Sequence, residues 1–140
     1  MQAVIPKMKK RNFGRIINIT SAMVKNPHLI MGLSTSARSG LHGLSKALSR
    51  EVAQYNITIN NVLPERIDTD RQTQILNFQA KLADSTYEEA KKELEETLTA
   101  KRMGTVEEFS GICTFLCSEQ AAYISGQSIS VDGGNSTNLI

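Results

Sequence analysis

The sequence contains no tryptophan, only two cysteines and only three prolines among its 140 residues, and it has no long hydrophobic run. A membrane span needs roughly 18 to 20 apolar residues, and no charged-then-apolar leader with a small-residue cleavage site follows Met1. We therefore expect a cytoplasmic protein. Cys113 and Cys117 are four residues apart, a helical spacing rather than a redox or zinc motif, so we expect reduced, buried thiols and no metal site.

A strong charge of one sign is also lacking. Sixteen Lys and Arg residues face fourteen Asp and Glu residues, which gives a formal net charge of +2. This surplus is too small to indicate nucleic acid or an acidic membrane as the main partner. The basic cluster at residues 7–11 is interpreted as the last turn of a helix, where positive charge complements the helix dipole. The hydrophobic fraction of 40% is enough for one packed domain.

The order of the predicted elements favours an α/β fold. Residues 14–20 predict a first strand, residues 57–63 predict a second that ends at Pro64, and residues 127–131 predict a third. Between the first two strands, apolar residues at helical spacing predict an amphipathic helix over 34–55. Its expected apolar stripe consists of Ala37, Leu41, Leu44, Leu48 and Val52. Strands that alternate with helices are typical of a parallel sheet covered by helices.

Two capping boxes predict where later helices begin. Thr86 with Glu89 precedes a charged helix that ends near Ala100, and Thr105 with Glu108 precedes an apolar helix. In and before the charged helix, four apolar side chains are expected to face inward: Leu76, Phe78, Leu82 and Leu94.

Four segments, which together cover nearly all of the chain, carry a family resemblance: GRIINITSA, STSARSGLHGLSKALSREVA, ITINNVLPERIDTD and KRMGTVEEFSGICTFLCSEQAAYISGQSISVDGG. They resemble the C-terminal half of the short-chain dehydrogenase/reductase family, and the beta-ketoacyl carrier-protein reductases look closest. The resemblance implies the C-terminal half of a Rossmann-like, doubly wound parallel sheet, with three strands and flanking helices.

The resemblance also implies a division of the domain. Residues 1–140 would form a partial Rossmann-like domain in which residues 70–101 cover the substrate. The sequence has no glycine-rich phosphate motif, so we expect the N-terminal dinucleotide-binding half to be absent and this form to be truncated. Because the strand at 14–20 would then have an uncovered apolar edge, we expect a homo-oligomer formed through helix 34–55 and the C-terminal strand.

The catalytic positions that the family implies are only partly kept. Ser21 matches the serine that orients the substrate carbonyl, and Ser34, thirteen residues later, stands where the family has tyrosine. Arg38 stands where the family has the lysine of the Tyr-x-x-x-Lys motif. A serine hydroxyl is far less acidic than a phenol with a pKa of about 10, and it is one ring shorter. Proton transfer is therefore expected to suffer more than cofactor contact.

Cofactor-binding positions are implied after the second strand. Pro64, Ile67 and Thr69 match the family's loop around the nicotinamide of NAD or NADP, and Arg38 could hold the ribose hydroxyls. Glu65 stands where glycine is usual, so we expect a strained backbone at positive φ and an unfavourable charge near an anionic cofactor.

Two functions are compatible with these residues. The first is an NAD(P)-dependent oxidoreductase that transfers hydride between the cofactor and a small-molecule carbonyl or alcohol, similar to the 3-oxoacyl reductases. Its proton donor is unassigned, with His28 and Lys25 as the local candidates beside ordinary roles as solvated loop residues. The second is a non-catalytic subunit, cofactor-binding or structural, built on the same fold.

Overall fold

The computed structural model describes residues 1–139 and contains a three-stranded sheet with helices on both faces. The strands are β1 (Gly14–Ile19), β2 (Ile57–Pro64) and β3 (Ser128–Val131). The helices are α1 (Ile5–Lys10), α2 (Gly32–Val52), α3 (Asp70–Leu82), α4 (Tyr87–Thr97) and α5 (Val106–Cys117). Short 3-10 turns cover Ala22–Val24, Leu29–Met31 and Ala53–Tyr55. The predicted α/β class and the three predicted strands are confirmed.

The sheet is parallel throughout, in the order β1-β2-β3. Gly14 pairs with Ile57 and Ile19 pairs with Val62, whereas Asn61 pairs with Ser128 on the other side of β2. The central strand is buried along almost its whole length, as expected for a parallel strand covered on both faces. All three strands therefore end at one edge of the sheet.

Side-chain caps begin the helices of the second half. Both predicted capping boxes form, with Thr86 and Glu89 at α4 and with Thr105 and Glu108 at α5. The Arg102 guanidinium hydrogen-bonds Glu108, and with the Thr105 backbone it lowers the pKa of that carboxyl to about 2. The carboxylate thus remains charged at the positive end of the helix dipole.

Two hydrophobic clusters lie on opposite faces of the sheet. On the α2 face, Val52 packs with Ile57 and Ile59. On the α5 face, Val62 packs with Leu116 and Ala121. Alternation along β2 sends successive side chains to opposite faces, which is why one strand supplies both clusters.

The predicted apolar stripe of α2 is wrong as a description of its buried face. Val52 is buried, but Leu44 is 53% exposed, and the other fully covered side chains of this helix are Ser45 and Ser49. Of the other members of the stripe, Ala37 and Leu44 are exposed, and Leu41 and Leu48 are half-buried. The helix therefore meets the sheet partly through polar groups.

Helices α3 and α4 pack against each other around Leu76, Leu98 and Met103. Leu94 joins this cluster as expected. The expectation that Phe78 and Leu82 face inward is wrong, because they are 62% and 73% exposed. The packed face of α3 is formed by other residues of the helix, among them Leu76.

The two thiols are free, as expected, but only one is shielded. Cys113 is half-buried, and burial together with the neighbouring Cys117 raises the pKa of its thiol. Cys117 is exposed in the last turn of α5, so the expectation of a buried thiol is wrong there. Across the part of the chain that the structure describes, no helix combines the length and the apolarity needed to cross a bilayer.

A buried asparagine ties β2 to the segment before β3. The Asn60 side chain donates to the Ile124 carbonyl at 2.8 Å and accepts from the Gln127 amide at 3.0 Å. Gly126 lies beside them at φ 70, and a Cβ there would come within 2.6 Å of Ser49 Oγ. This position therefore needs glycine both for its backbone conformation and for its close approach to α2.

Candidate functional site

The candidate site lies where the parallel strands end. In open α/β sheets, ligands bind in the crevice outside the carboxyl ends of the strands. Ile19 ends β1 there and Pro64 ends β2. Of the six residues that the sequence singled out, Ser21, Ile67 and Thr69 lie in the loops that follow these two strands. Pro64 is the last residue of β2, and Ser34 and Arg38 lie in the first turns of α2.

A mainly apolar cavity of about 350 Å³ opens at this edge. Its lining residues are Ile19, Pro64, Arg66, Ile67, Thr69, Val106 and Phe109. The structure thus brings together Pro64, Ile67 and Thr69, three of the four predicted cofactor-binding residues. The Ile19 side chain is 63% exposed in this cavity, which is unusual for an isoleucine at the end of a strand. Its exposure leaves an aliphatic surface available to a ligand.

The loop that forms one wall is held by backbone contacts to the segment before α5. Ile67 and Gly104 form a parallel bridge, in which the Asp68 amide donates to the Gly104 carbonyl at 2.8 Å. A Cβ at Gly104 would come within 3.0 Å of the Ile67 side chain, so a small residue is needed for this approach. The bridge fixes the position of Ile67 in the cavity wall.

The expected strain at Glu65 is wrong, because the residue at positive φ is its neighbour Arg66, with φ 53. The Glu65 amide donates to the Val131 carbonyl at 3.1 Å, which continues the pairing of β2 with β3. Its carboxylate accepts from Asn135 Nδ2 at 2.9 Å. The negative charge is thereby held against the segment after β3.

Thr69 has two local contacts. Its hydroxyl oxygen caps α3 by accepting from the Gln72 amide at 3.4 Å, and the hydroxyl donates toward the Ile67 carbonyl at 3.5 Å. Both contacts are long, and the residue is exposed. A ligand acceptor could therefore compete for the hydroxyl proton at little cost.

Ser34 and Arg38 pair with each other in the first turns of α2. Arg38 Nη1 donates to Ser34 Oγ, and the same nitrogen lies 3.3 Å from the Ser34 carbonyl oxygen. Both residues are half-buried. The permanently charged guanidinium thus donates to the hydroxyl that stands in the proposed acid position, and no base accepts the Ser34 proton among the hydrogen bonds of residues 1–139.

Ser21 lies at the end of β1 but acts locally. Its hydroxyl caps the 3-10 turn Ala22–Val24 by accepting from the Met23 amide at 3.2 Å. Within the described residues, no hydrogen bond joins Ser21 to Ser34 or Arg38. The three predicted catalytic residues therefore form two separate groups around the same edge of the sheet.

The alternative acids lie on the loop between these groups. His28 is exposed and begins the turn Leu29–Met31 without a side-chain cap. Lys25 is half-buried, and its carbonyl accepts from Asn138 Nδ2 at 2.8 Å. Neither side chain makes a hydrogen bond to Ser21, Ser34 or Arg38 in the structure of residues 1–139.

Sequence reasoning missed His42, which the structure places under the site. Its Nε2 lies 2.9 Å from Thr20 Oγ1 and its Nδ1 lies 2.9 Å from Ser128 Oγ. Burial, and secondly the charge of Lys25, lower the pKa of this imidazole. The signal that could have found it is spacing, because His42 follows Arg38 by four residues and so shares its face of α2. No cluster of three or more metal-binding side chains occurs within residues 1–139.

The chain matches one protein-family model over residues 1–136, and that family is described as enoyl-(acyl carrier protein) reductase. The NADPH-dependent reductase BacG of Bacillus subtilis is 38% identical over 128 residues, which are 91% of this chain and 49% of that protein. The 3-oxoacyl-[acyl-carrier-protein] reductase FabG of Aquifex aeolicus is 35% identical over 133 residues, or 95% of this chain and 49% of that protein.

A solved structure has the same fold. L-sorbose reductase from Gluconobacter frateurii, determined with NADPH and L-sorbose, superimposes with a TM-score of 0.90 at 28% identity. The match covers 99% of this chain and 53% of the reductase. The chain spans about half the length of the curated relatives it matches.

Proposed function

Because the chain belongs to the short-chain dehydrogenase/reductase family, we propose that it supplies the substrate side of an NAD(P)-dependent oxidoreductase acting on a small-molecule carbonyl or alcohol. The observation that carries the proposal is the cavity at the carboxyl ends of β1 and β2, whose walls include Pro64, Ile67 and Thr69. An apolar cavity with one hydroxyl and few charges suits a flat, uncharged ring that bears a carboxamide.

The residues present fit the nicotinamide end of the cofactor. Ile19, Pro64 and Ile67 offer an apolar surface to the ring, and the Thr69 hydroxyl offers a weakly engaged donor. Glu65 is not among the residues that line this cavity, and its carboxylate accepts from Asn135 Nδ2 on the segment after β3. When bound, the cofactor supplies or accepts the hydride; the chain's own residues bind, orient and exclude water.

The roles around the substrate oxygen are divided between the two other groups. Ser21 would orient the carbonyl oxygen, which requires its hydroxyl to donate while still capping the turn at Met23. Arg38 would hold the ribose hydroxyls with the guanidinium donors that Ser34 leaves unused. Ser34 is a poor general acid, because a serine hydroxyl keeps its proton far above neutral pH.

A non-catalytic role is the second candidate, and the Ser34–Arg38 pair favours it. The pair replaces a phenol and an ammonium by a hydroxyl and a guanidinium that bind each other. A subunit that binds the cofactor, or that only builds the assembly, would need the cavity and the helices but no proton donor.

The proposal extends to the arrangement of the domain. Residues 1–140 would form the C-terminal half of a Rossmann-like unit, with residues 70–101 over the substrate. The glycine-rich turn that binds phosphates would come from polypeptide outside this sequence. The match to about half of each relative supports this division.

The nicotinamide site can be tested without a phosphate-binding turn by using reduced nicotinamide mononucleotide. We expect this ligand to shift the backbone amide signals of Ile67 and Thr69 in a titration followed by NMR. Thr69→Ala should weaken binding by about 2- to 12-fold, the usual worth of one hydrogen bond, and Thr69→Ser should restore it.

Thr114→Ala is the matched control, because Thr114 is exposed on α5 outside the cavity and bonds only within its own helix. The affinity of this variant should equal that of the wild type. If the mononucleotide shifts no amide lining the cavity, the proposed function fails.

A second copy of the chain is the proposed partner of α2. The outward face of this helix carries apolar and small residues at heptad-like spacing: Leu33, Ala37, Gly40, Leu44 and Ala47. Leu33 is 93% exposed, which costs free energy unless another surface covers it. Small residues at Ala37 and Gly40 allow two helices to approach closely, and the free edge of β3 would extend the contact.

Leu44→Glu is expected to convert a dimer or larger oligomer into a monomer, because it places a charge in the centre of this face. Sedimentation velocity measures the change. Thr114→Glu introduces the same charge on α5 and should leave the assembly intact. A wild-type chain that sediments as a monomer at all concentrations would contradict the proposal.

A further inference from the structure

A layer of polar side chains separates α2 from the sheet beneath the site. Its members come from all three strands and from the helix: Asn18, Thr20, His42, Ser45, Asn61 and Ser128. Ser45 is fully buried and Asn61 is 2% exposed. Buried polar groups need partners, and here each finds one within the layer.

The direction of the hydrogen bonds in this layer follows from one backbone carbonyl. Ser45 Oγ lies 2.7 Å from the Leu41 carbonyl oxygen, which can only accept, so the single hydroxyl hydrogen of Ser45 is engaged there. The Asn18 nitrogen at 3.0 Å from Ser45 Oγ must then be the donor. Its second hydrogen donates to Asn61 Oδ1, also at 3.0 Å.

The same reasoning continues from Asn61 to the imidazole. With its oxygen accepting from Asn18, Asn61 donates through Nδ2 to Ser128 Oγ at 3.3 Å. Ser128 then has one hydrogen to place, and the acceptor it meets among residues 1–139 is His42 Nδ1 at 2.9 Å. A neutral imidazole whose Nδ1 accepts carries its hydrogen on Nε2, which donates to Thr20 Oγ1 at 2.9 Å.

We propose that His42 is a positioning residue, fixed as the neutral Nε2–H tautomer, that holds Thr20 and thereby the turn that Ser21 begins. Thr20 is 8% exposed and directly follows β1, and its amide donates to the Val62 carbonyl. The tautomer and the hold on Thr20 stand on the geometry alone. Only the benefit to substrate orientation by Ser21 rests on the proposed function.

The surroundings of His42 oppose its protonation. Lys25 is the charged group that acts on it, and Arg38 and Lys46 lie one turn before and after it on α2. Its two hydrogen-bond partners, Thr20 and Ser128, and Asn61, which donates to Ser128, carry no charge. A second ring hydrogen, on Nδ1, would point at Ser128 Oγ, and the Ser128 hydrogen would then lose its acceptor.

The sign of the pH dependence follows from these contacts. Burial and Lys25 lower the pKa of His42 in the folded chain below the value of 6.5 for a free imidazole. The folded state therefore binds fewer protons than the unfolded state between these two values. The stability contributed by the neutral ring is fully present above pH 6.5 and is lost as the pH falls from 6.5 toward the folded pKa.

Nitrogen NMR of the histidine side chains tests the tautomer directly in the full chain. At pH 7.5 we expect His42 Nε2 to be protonated and Nδ1 to be bare, whereas His28, exposed in its loop, should show the averaged signals of a mobile ring. A protonated Nδ1 on His42 would overturn the proposal.

Two substitutions test the positioning role. His42→Gln keeps one acceptor and one donor on a non-titrating amide, and His42→Leu removes both. The Met23 amide donates a hydrogen bond to Ser21 Oγ, so its hydrogen exchange reports on this turn. We expect that exchange to be at least 10-fold faster in the leucine variant than in the wild type. In the glutamine variant it should stay near the wild-type rate. Unchanged Met23 exchange in a folded leucine variant would refute the role.

The glutamine variant keeps the test decisive if the leucine variant does not fold. Its stability should vary less than that of the wild type between pH 6.5 and 5, and an equal loss in both proteins would exclude His42 as the titrating group. His28→Gln is the matched control and should leave the exchange rate of the Met23 amide unchanged, because His28 is exposed and caps no turn through its side chain. None of these measurements uses a nicotinamide ligand, so failure of the proposed function and failure of this inference are distinguishable.

Discussion

Carbonyl reduction is expected to rise by about 10² to 10⁴ when Ser34 is replaced by tyrosine and Arg38 by lysine together. A phenol with a pKa of about 10, beside an ammonium that lowers it, can exchange a proton near neutral pH, which a serine hydroxyl cannot do. The tyrosine oxygen also reaches a ring length beyond Ser34 Oγ. In the present chain one guanidinium nitrogen of Arg38 donates to Ser34 Oγ, so the charged group stabilises the hydroxyl instead of a phenol.

The rate is measured as oxidation of NADPH in the presence of a small ketone, in a preparation for which nicotinamide binding has been established. Ser34→Phe with Arg38→Lys is the matched control, since it supplies the ring and the ammonium without the hydroxyl. Its activity should stay at the level of the unsubstituted chain. If the tyrosine and phenylalanine variants are equally inactive while the ligand still binds, the non-catalytic subunit is the better description.

The largest loss of stability is expected from Leu116→Ala, at about 2 to 5 kcal/mol of unfolding free energy. Leu116 is fully buried and packs against Val62 and Ala121, with Ile17 and Ile129 beside them. The substitution removes buried methyl groups and leaves a cavity between α5 and the sheet. Because Leu116 is the one buried residue of α5, the docking of this helix depends on it.

Urea unfolding followed by circular dichroism gives the free energy. Thr114→Ala, two residues earlier on the same helix, should change it by no more than about 0.5 kcal/mol, because Thr114 is exposed and bonds only to the Ser110 carbonyl. Equal effects of the two substitutions would mean that α5 is not docked on the sheet through Leu116.

Apolar periodicity and capping chemistry predict most of the elements. The isoleucines of residues 14–20 and 57–63 are typical of covered parallel strands, and Thr86 and Thr105 form the capping boxes that their spacing predicts. Both signals are local, so they can be read from a few consecutive residues. The resemblance then gives the Rossmann-like arrangement that the order of elements alone only favours.

The polar layer could not be predicted in this way. Periodicity counts apolar residues, and on that count Leu44 belongs to the buried stripe of α2 while Ser45 does not. In the structure Ser45 is buried and Leu44 is exposed. Ser45 can be buried because its hydroxyl hydrogen-bonds Asn18 and the Leu41 carbonyl. Such burial depends on residues that are 27 positions apart in the chain and that meet only after the strands have paired.

In the site, the structure places Pro64, Ile67 and Thr69, which the resemblance groups together, in the wall of one cavity. The resemblance does not supply their surroundings. The Glu65–Asn135 contact joins residues 70 positions apart, and no local pattern announces it. The left-handed residue is Arg66 rather than Glu65, since the loop must turn after its last pairing with β3. Side-chain partners at such separations require the folded structure.

The pairing of β2 with a strand much later in the chain has a consequence for synthesis on the ribosome. Asn61 pairs with Ser128, so the partner of β2 is 67 residues downstream. At about 5 to 20 residues per second, that stretch takes about 3 to 13 s to be made. During this time one edge of β2 has no partner, and its Asn60 side chain lacks both the Ile124 carbonyl and the Gln127 amide. The nascent chain thus has an interval in which chaperones have an open strand edge to protect.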